Sequence, residues 1–310
     1  MNESDGLAEH FEAQRGRLQA VAYRLLGSPG EAEDAVQEAW LRLGRTDVGA
    51  VDNLAGWLRT VVTRICLDML RARTARREDL AEQQVLDQVS EPAQGSRPED
   101  SALLADSVSR ALLVVLDALE PAERVAFVLH DMFAVPFGQI APILERTPVA
   151  TKKLASRARH KVRGVPAVPA DELARHRRVV SAFLSAARAG DLDAILAVLA
   201  PDVVRRSDPA VLTPGAAAEL RGARAVAEGT VLLAHRSRLA EPALVDGRVG
   251  LVVAPRGRLL IALTFTVEKD RIAAYEVIAD PDRLHRLDLA VLTESGVDAE
   301  LLHRTGRRQG

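Results

Sequence analysis

The sequence predicts a multidomain chain: two all-α domains, one a helical bundle and one a helix-turn-helix, followed by an α+β domain with a curved antiparallel sheet. Three observations predict it. Apolar residues recur at helical spacing over 7–77 and again over 102–164. The stretch between them, 78–101, is acidic, rich in Gln and Ser and interrupted by Pro92 and Pro98, as expected of a linker with little fixed structure. Past Gly164 to Pro169 (GVPAVP) the chain changes class, and apolar runs alternate with turn signals over 171–290, before a tail at 291–310.

In the first block the clearest start signal is Ser28-Pro29-Gly30-Glu31, a capping box with proline at the first helical position. The helix it opens turns Ala32, Ala35, Val36, Ala39, Trp40 and Leu43 toward a core. Glu31, Glu33, Asp34, Gln37, Glu38 and Arg42 lie mainly on the other surface. A further helix from Leu54 to about Arg76 carries a stripe of Leu54, Leu58, Val61, Val62, Ile65, Met69 and Leu70. Its remainder is basic, with Asp68 the lone acid between Leu54 and Arg77.

The second block reads as a helix from about Ala102 to Leu119 and another from Pro121 that ends before Ala134-Val135-Pro136. A helix-turn-helix follows, formed by PFGQIAPILE and TPVATKKLASRARHKVRG. Pro142 falls inside the first helix of that motif, where it removes a backbone hydrogen bond and should kink it. In the second, Thr147 is placed to cap and Pro148 to occupy the first turn. Ala150, Leu154, Ala158 and Val162 form an apolar face, and Lys152, Lys153, Arg157, Arg159, His160, Lys161 and Arg163 cover the rest without one acid. Such a helix suits a DNA groove, because its cations displace counterions condensed on phosphates. A membrane-surface helix would carry Trp, Phe or Leu where this one carries mostly alanine.

The third block opens with helical patterns at Glu172 to Ala189 and Leu192 to Leu199. Strands then surround turn signals at Asp246-Gly247, Pro255-Arg256-Gly257 and Lys269-Asp270.

Composition narrows the function classes. The chain has 310 residues and a formal net charge of −2, so affinity for nucleic acid must come from local patches. The single cysteine, Cys66, excludes an intrachain disulfide and reads as a buried small hydrophobe beside Ile65. An acidic, polar start (MNESDGLAEH) argues against a signal peptide, and the longest apolar run, Leu259 to Val267, is too short to span a bilayer. A soluble, cytoplasmic protein with no membrane partner is expected. His176 and His285 lack partners at metal-ligand spacing, so no metal and no cofactor are expected.

Two helical blocks, each with a basic helix, suggest bipartite contact with DNA, and at this point the residues carry a family resemblance. AYRLLGSPGEAEDAVQEAWLRL, Ala22 to Leu43, resembles region two of bacterial RNA polymerase sigma factors. Gly56 to Glu78 resembles the part of that region that melts and reads the −10 promoter element, and Leu119 to Gly164 resembles region four, the −35 reader. The chain is thereby identified as similar to the extracytoplasmic-function (ECF) group, which keeps only these two regions. The resemblance implies core RNA polymerase and promoter DNA as partners. It implies that Asp34, Gln37, Glu38 and Leu41 dock on the clamp helices of the polymerase β′ subunit. It also assigns Asn53, Trp57, Arg59, Thr60, Arg64, Asp68 and Arg71 to the −10 element, with Trp57 either a stacking platform or a core residue. Thr151, Lys152, Lys153 and Ser156 would face −35 base edges, while Arg157, Arg159 and Lys161 suit phosphates. Glu78, Asp79, Glu82, Asp87, Glu91, Glu99 and Asp100 of the linker would rest in a basic polymerase channel or form a plain tether.

The third block resembles the SnoaL-like C-terminal extension of the SigJ-type subgroup, through Ala186 to Val204 and the final strand Tyr275 to Leu284. Two departures stand out. Relatives carry Asp-Gly-Gly-Gly-Lys where this chain has Ser207-Asp208-Pro209-Ala210, and Trp-Leu-Pro-Glu-Pro where it has Ser90-Glu91-Pro92. Some SnoaL-like domains are cyclases or isomerases working through a pocket carboxylate or histidine. Asp202, Asp208, His235 and Tyr275 are available here, but no pair stands out by spacing, so no catalytic residue is assigned and a small pocket ligand stays unidentified. A sigma factor tuned by its own extension is the reading. A stand-alone helix-turn-helix regulator, and a SnoaL-like enzyme fused to a DNA-binding segment, are the alternatives.

Overall fold

A computed structural model of the chain describes residues 3–46, 51, 53–79, 110–212 and 217–292. Most of the expected linker, the beginning of the second block and nearly all of the tail lie outside the described residues.

Helices α1 (Glu3–Leu26), α2 (Pro29–Leu43) and α3 (Leu54–Asp79) form the first bundle. The Ser28 hydroxyl accepts from the Glu31 N–H at 3.4 Å, and Pro29 occupies the first turn of α2, as the sequence predicts. The Glu31 carboxylate turns instead to Arg73 of α3, at 2.5 Å. It thereby ties two helices together. Asn53 caps α3, its side-chain oxygen accepting from the Gly56 N–H at 2.9 Å. Leu25, Leu26, Ala35, Ala39, Leu43, Leu58, Val62 and Cys66 fill the core. Trp40 departs from the expectation: it is 38% exposed, with its ring 4.8 Å from that of Phe11, so it covers one side of α1 rather than entering the core.

The second helical unit comprises α4 (Arg110–Asp117), α5 (Pro121–Phe127), α6 (Phe137–Leu144) and α7 (Pro148–Arg163). The helix expected through Phe133 widens after Phe127 into a π-helical turn, Val128–Met132, before Ala134 reverses the chain at φ 55°. Helix α6 continues past Pro142 for two residues and stops where Glu145 enters the left-handed region at φ 55°. Arg124, fully buried, donates to Asp117 at 3.1 Å, and Arg73 of the first bundle reaches the same carboxylate at 3.8 Å.

The third unit begins with α8 (Ala170–Ala189) and α9 (Leu192–Val198). It continues through β1 (Leu199–Ser207), β2 (Glu219–Arg221), α10 (Ala223–Val231), α11 (Ala234–Ser237), β3 (Ala240–Val245), β4 (Arg248–Val253), β5 (Ile261–Glu268), β6 (Arg271–Ile278), α12 (Pro281–His285) and β7 (Leu289–Ala290). The strands make one seven-stranded sheet in the order β2-β1-β6-β5-β4-β3-β7. Every pairing is antiparallel except β1 with β6, so the sheet is mixed. Asp246-Gly247 and Lys269-Asp270 form two-residue hairpin turns in which all four residues have positive φ, the mirror-image turn that matches strand twist.

Strands β3 and β4 have two dry faces. Ala240, Leu244, Leu251 and Val253 belong to the core of the third unit. Between them, Ala243, Val245 and Val252, together with Ala254 just past β4, join the core of the helical units. The alternation follows from the two-residue period of a strand. Polar contacts fasten the same junction. Glu241 of β3 accepts from the Ala111 N–H at the start of α4, at 2.9 Å, and the Val291 N–H donates to the Val162 carbonyl of α7, also at 2.9 Å.

Candidate nucleic-acid interface

Helix α7 starts as the sequence predicts, with Thr147 accepting from the Ala150 N–H at 3.2 Å and Pro148 in its first turn. Its rotation about its own axis differs from the expectation. The buried row is Thr151, Ala155, Ala158 and Val162, while Ala150 and Leu154 are only half-buried. Thr151 is therefore no base reader: it is fully buried, and its hydroxyl donates to the Thr147 carbonyl at 3.0 Å. Lys152, Lys153 and Ser156 are exposed along the N-terminal half of the helix. Val149, which residue spacing does not single out, stands beside them at 68% exposure.

The cations assigned to phosphates have protein partners. Arg157 and Lys161 both reach Glu123 of α5, at 3.2 and 2.8 Å, and Arg159 reaches Asp131 in the π-helical turn at 2.6 Å. The Glu123 carboxylate is buried beneath the helix, so these pairs orient α7 on its scaffold while leaving the exposed part of Arg157 to solvent.

On α3 the basic face meets α6. The Arg59 guanidinium donates to the Gln139 side chain at 2.7 Å, and Arg64 donates to the Pro142 carbonyl at 3.4 Å. Burial, and secondarily the charge of Arg17, lowers the Arg59 pKa, and its Nε is buried without an acceptor. Thr60 donates to the Gly56 carbonyl, and Trp57 is half-buried against the bundle core. Asp68 and Arg71 are exposed and 3.8 Å apart, and Asn53 is exposed while it caps the helix. Spacing of three and four residues puts Thr60, Arg64, Asp68 and Arg71 along one side of α3, with Arg59 on an adjoining side, and two of its arginines are engaged by the first helix of the helix-turn-helix.

On α2, Asp34, Gln37 and Leu41 are exposed, Leu41 to 54%, and Glu38 is half-buried in an ion pair with Arg42 at 2.8 Å. Spacing of three and four residues sets them in one strip beside Trp40. An acidic strip with two large apolar side chains in the open is a surface shaped for a basic, partly apolar partner. Cys66 is buried as expected, and burial pushes its thiol up to about 12.

The polar residues of the third unit that could suggest catalysis are divided among other tasks. Asp208 accepts from the Ala279 and Asp280 N–H groups at 3.0 Å each and pairs with Arg283 at 2.5 Å. Burial alone would raise its pKa, but those two N–H groups and Arg283 outweigh it and hold the carboxyl below its ordinary value. Asp202 is exposed, and the buried Tyr275 hydroxyl shares a hydrogen bond with Thr230 at 3.0 Å. The side chain of His235 is outside the described residues. Among the described residues no cluster could hold a metal ion, and no helix is long and apolar enough to cross a membrane.

Comparison with known proteins completes the picture. The Sigma-70 region 2 family matches residues 10–76, and the Sigma-70 region 4 family matches residues 109–162. The chain is 37% identical to the ECF RNA polymerase sigma factor SigJ of Mycobacterium tuberculosis, over 88% of this chain and 91% of that one. It is 34% identical to the probable ECF RNA polymerase sigma factor SigI of the same organism, over 93% of this chain and 98% of that one. Among solved structures, the crystal structure of M. tuberculosis SigJ aligns at a TM-score of 0.46 and 34% identity, covering 89% of this chain and 98% of that one. With both promoter-reading regions matched in order and the relationship running through the third unit, the chain belongs to the extracytoplasmic-function family of RNA polymerase sigma factors, which bind core polymerase and direct it to promoters.

Proposed function

We propose that this sigma factor rests in a closed form, braced by its own C-terminal domain, and opens on core RNA polymerase to bring its two DNA surfaces to the promoter. The observation that carries this reading is the engagement of Arg59 and Arg64 by Gln139 and Pro142. While α6 holds these two cations of α3, phosphates would have to displace the Gln139 side chain and the Pro142 carbonyl to engage them fully. The bracing role is supported by the contacts of the third unit with both helical units. Glu241 and Val291 hold α4 and α7, and the turn at Gly257 lies against Gly27, between α1 and α2.

In the functional division we favour, 7–77 is region two, 78–101 the linker, 102–164 region four, 171–290 the regulatory domain and 291–310 a tail. Asp34, Gln37, Glu38 and Leu41 would meet the polymerase. Asn53, Trp57, Thr60, Asp68 and Arg71, with Arg59 and Arg64 once released, would serve the −10 element. Lys152, Lys153 and Ser156 would face −35 base edges, and Arg157 with its neighbours the phosphates. Thr151 does not belong to that set, because its side chain is internal. The protein would act in the cytoplasm as a transcription factor without a reaction of its own.

Resonance energy transfer tests the opening. Cysteines replacing Arg71 and Arg146, both exposed, would take a donor and an acceptor dye, and Cys66 is too buried and too weakly acidic to compete. Transfer should be high in the free protein and fall when core polymerase is added. Unchanged transfer in a mixture where binding to core is demonstrated would overturn the closed-form reading.

A further inference from the structure

The C-terminal domain holds a cavity of about 100 Å³ between α8, α10 and the sheet, walled by Phe183, Leu184, Leu251, Val253, Ile261 and Leu263. One charged group enters it, Arg205 of β1, which is 8% exposed. An arginine in such surroundings stays protonated, so it needs a counter-charge. Among the described residues none is supplied. The nearby carboxylates are committed elsewhere, Glu219 to Arg206 and Arg221, and Asp208 to Arg283. The buried Arg205 Nε donates to no acceptor.

Two further features make this a built site. Gly229 of α10 leaves room for the guanidinium: a Cβ there would lie 3.0 Å from Nη1 of Arg205. Beside the arginine, Tyr275 and Thr230 share a hydrogen bond of 3.0 Å within the cavity lining. Thr230 donates its proton to the Val226 carbonyl at 2.8 Å, so the Tyr275 hydroxyl is the donor to Thr230, and its oxygen also lies in hydrogen-bonding contact with Arg205; burial raises the Tyr275 pKa, and those contacts oppose the rise.

We propose that this cavity binds a small organic carboxylate with a short apolar body, its charge taken by Arg205. A guanidinium matches the two oxygens of a carboxylate, a pairing that is strong where water is excluded, and Arg205 is the charged group in the cavity lining. The apolar walls select the remainder of the ligand, and the volume restricts it to a short branched chain, since even benzene takes an apolar cavity of about 150 Å³. The site stands independently of the promoter function. Leu251 and Val253, which line it, alternate along β4 with Val252, which packs on the helical units, so the ligand would lie one strand away from them.

Calorimetric titration of the full chain with isovalerate and isobutyrate, against their neutral amides isovaleramide and isobutyramide, tests the assignment. At least one carboxylate should bind saturably, with its amide weaker by ~30-fold or more, and Arg205→Met should lose carboxylate binding to a similar extent. The same substitution should leave the unliganded chain as resistant to urea or more so, since it removes an uncompensated buried charge; a merely structural arginine would do the reverse. A second readout needs no loss of the side chain. The Nε–H proton resonance of Arg205 in the wild-type chain, assigned with Arg205→Lys, should move downfield with the carboxylate and stay in place with the amide. Equal binding of acid and amide, no binding of either carboxylate, or an unmoved Nε–H resonance at saturation would overturn the proposal.

Discussion

Asp208 holds the turn after β6 in place, accepting two backbone N–H groups and one arginine. Those partners favour the carboxylate, so its folded-state pKa is lowered. The stabilisation is then fully present above the unfolded-state value of about 3.9 and is lost as pH falls through the lower folded-state value. Asp208→Asn should therefore cost about 2 kcal/mol at pH 7 in urea unfolding, with the gap to wild type closing as pH falls through the lowered folded-state value. A gap that persists there would mean the charge is not what matters. On α7 the residues separate by rotation. Replacing Lys152 and Lys153 together by alanine should weaken promoter binding. The slope of log affinity against log salt should also become shallower, by about one for each phosphate no longer neutralised. Thr151→Val should leave DNA affinity unchanged and cost only about 1 kcal/mol of stability. Residue types in the sequence revealed the basic character of this helix, but not its rotation: alanine occupies both the true and the expected apolar rows, so spacing alone could not place Thr151 inside. Arg205 was equally illegible, because an arginine in an alternating strand reads as an outward residue until its cavity is seen.

At the scale of elements, the starts were the most legible features, since Ser28-Pro29 and Thr147-Pro148 state their own capping chemistry. The two hairpin turns were legible for a similar reason: aspartate and glycine accept positive φ at Asp246, Gly247 and Asp270, whereas Lys269 adopts it without that aid. What escaped was whatever depends on partners far away in sequence. The π-helical widening after Phe127 leaves no local mark, and the parallel pairing of β1 with β6 joins segments about seventy residues apart. Trp40 shows the same limit, lying at the edge of an apolar stripe whose width only packing decides. Gly164 became interpretable only in the fold. It ends α7 at φ +58°, and a Cβ there would run into that of Ala290 in β7. Gly164→Ala should therefore strain the seam between region four and the C-terminal domain, destabilising the chain by about 1–3 kcal/mol and speeding proteolysis after residue 164. If the thermal midpoint and the cleavage pattern both match wild type, the seam is looser than its packing implies.

For the molecule as a whole, order along the chain revealed two DNA-reading blocks and an extension, and the resemblance supplied their partners. It could not reveal that α6 lies on the basic face of α3, because neither surface looks unusual by itself. Gln139 is an ordinary exposed helix residue, and the Pro142 carbonyl is backbone. The apolar seam is more telling. Ala243, Val245 and Val252 are buried against helices of another unit, so the extension is built into the same packed structure as regions two and four. In the closed form we propose, α6 holds Arg59 and Arg64 of α3 while the −35 residues Lys152, Lys153 and Ser156 and the α2 strip stay exposed, so binding to core polymerase would have to separate α6 from α3. The most direct test is in vitro transcription with purified core polymerase, comparing the full chain with one ending at residue 168, normalised to the amount of each bound to core. Promoter-specific transcripts are expected from both, with more per bound molecule from the shortened chain. Equal or lower yield from the shortened chain would contradict bracing by the C-terminal domain, and transcripts from neither would contradict the promoter function itself.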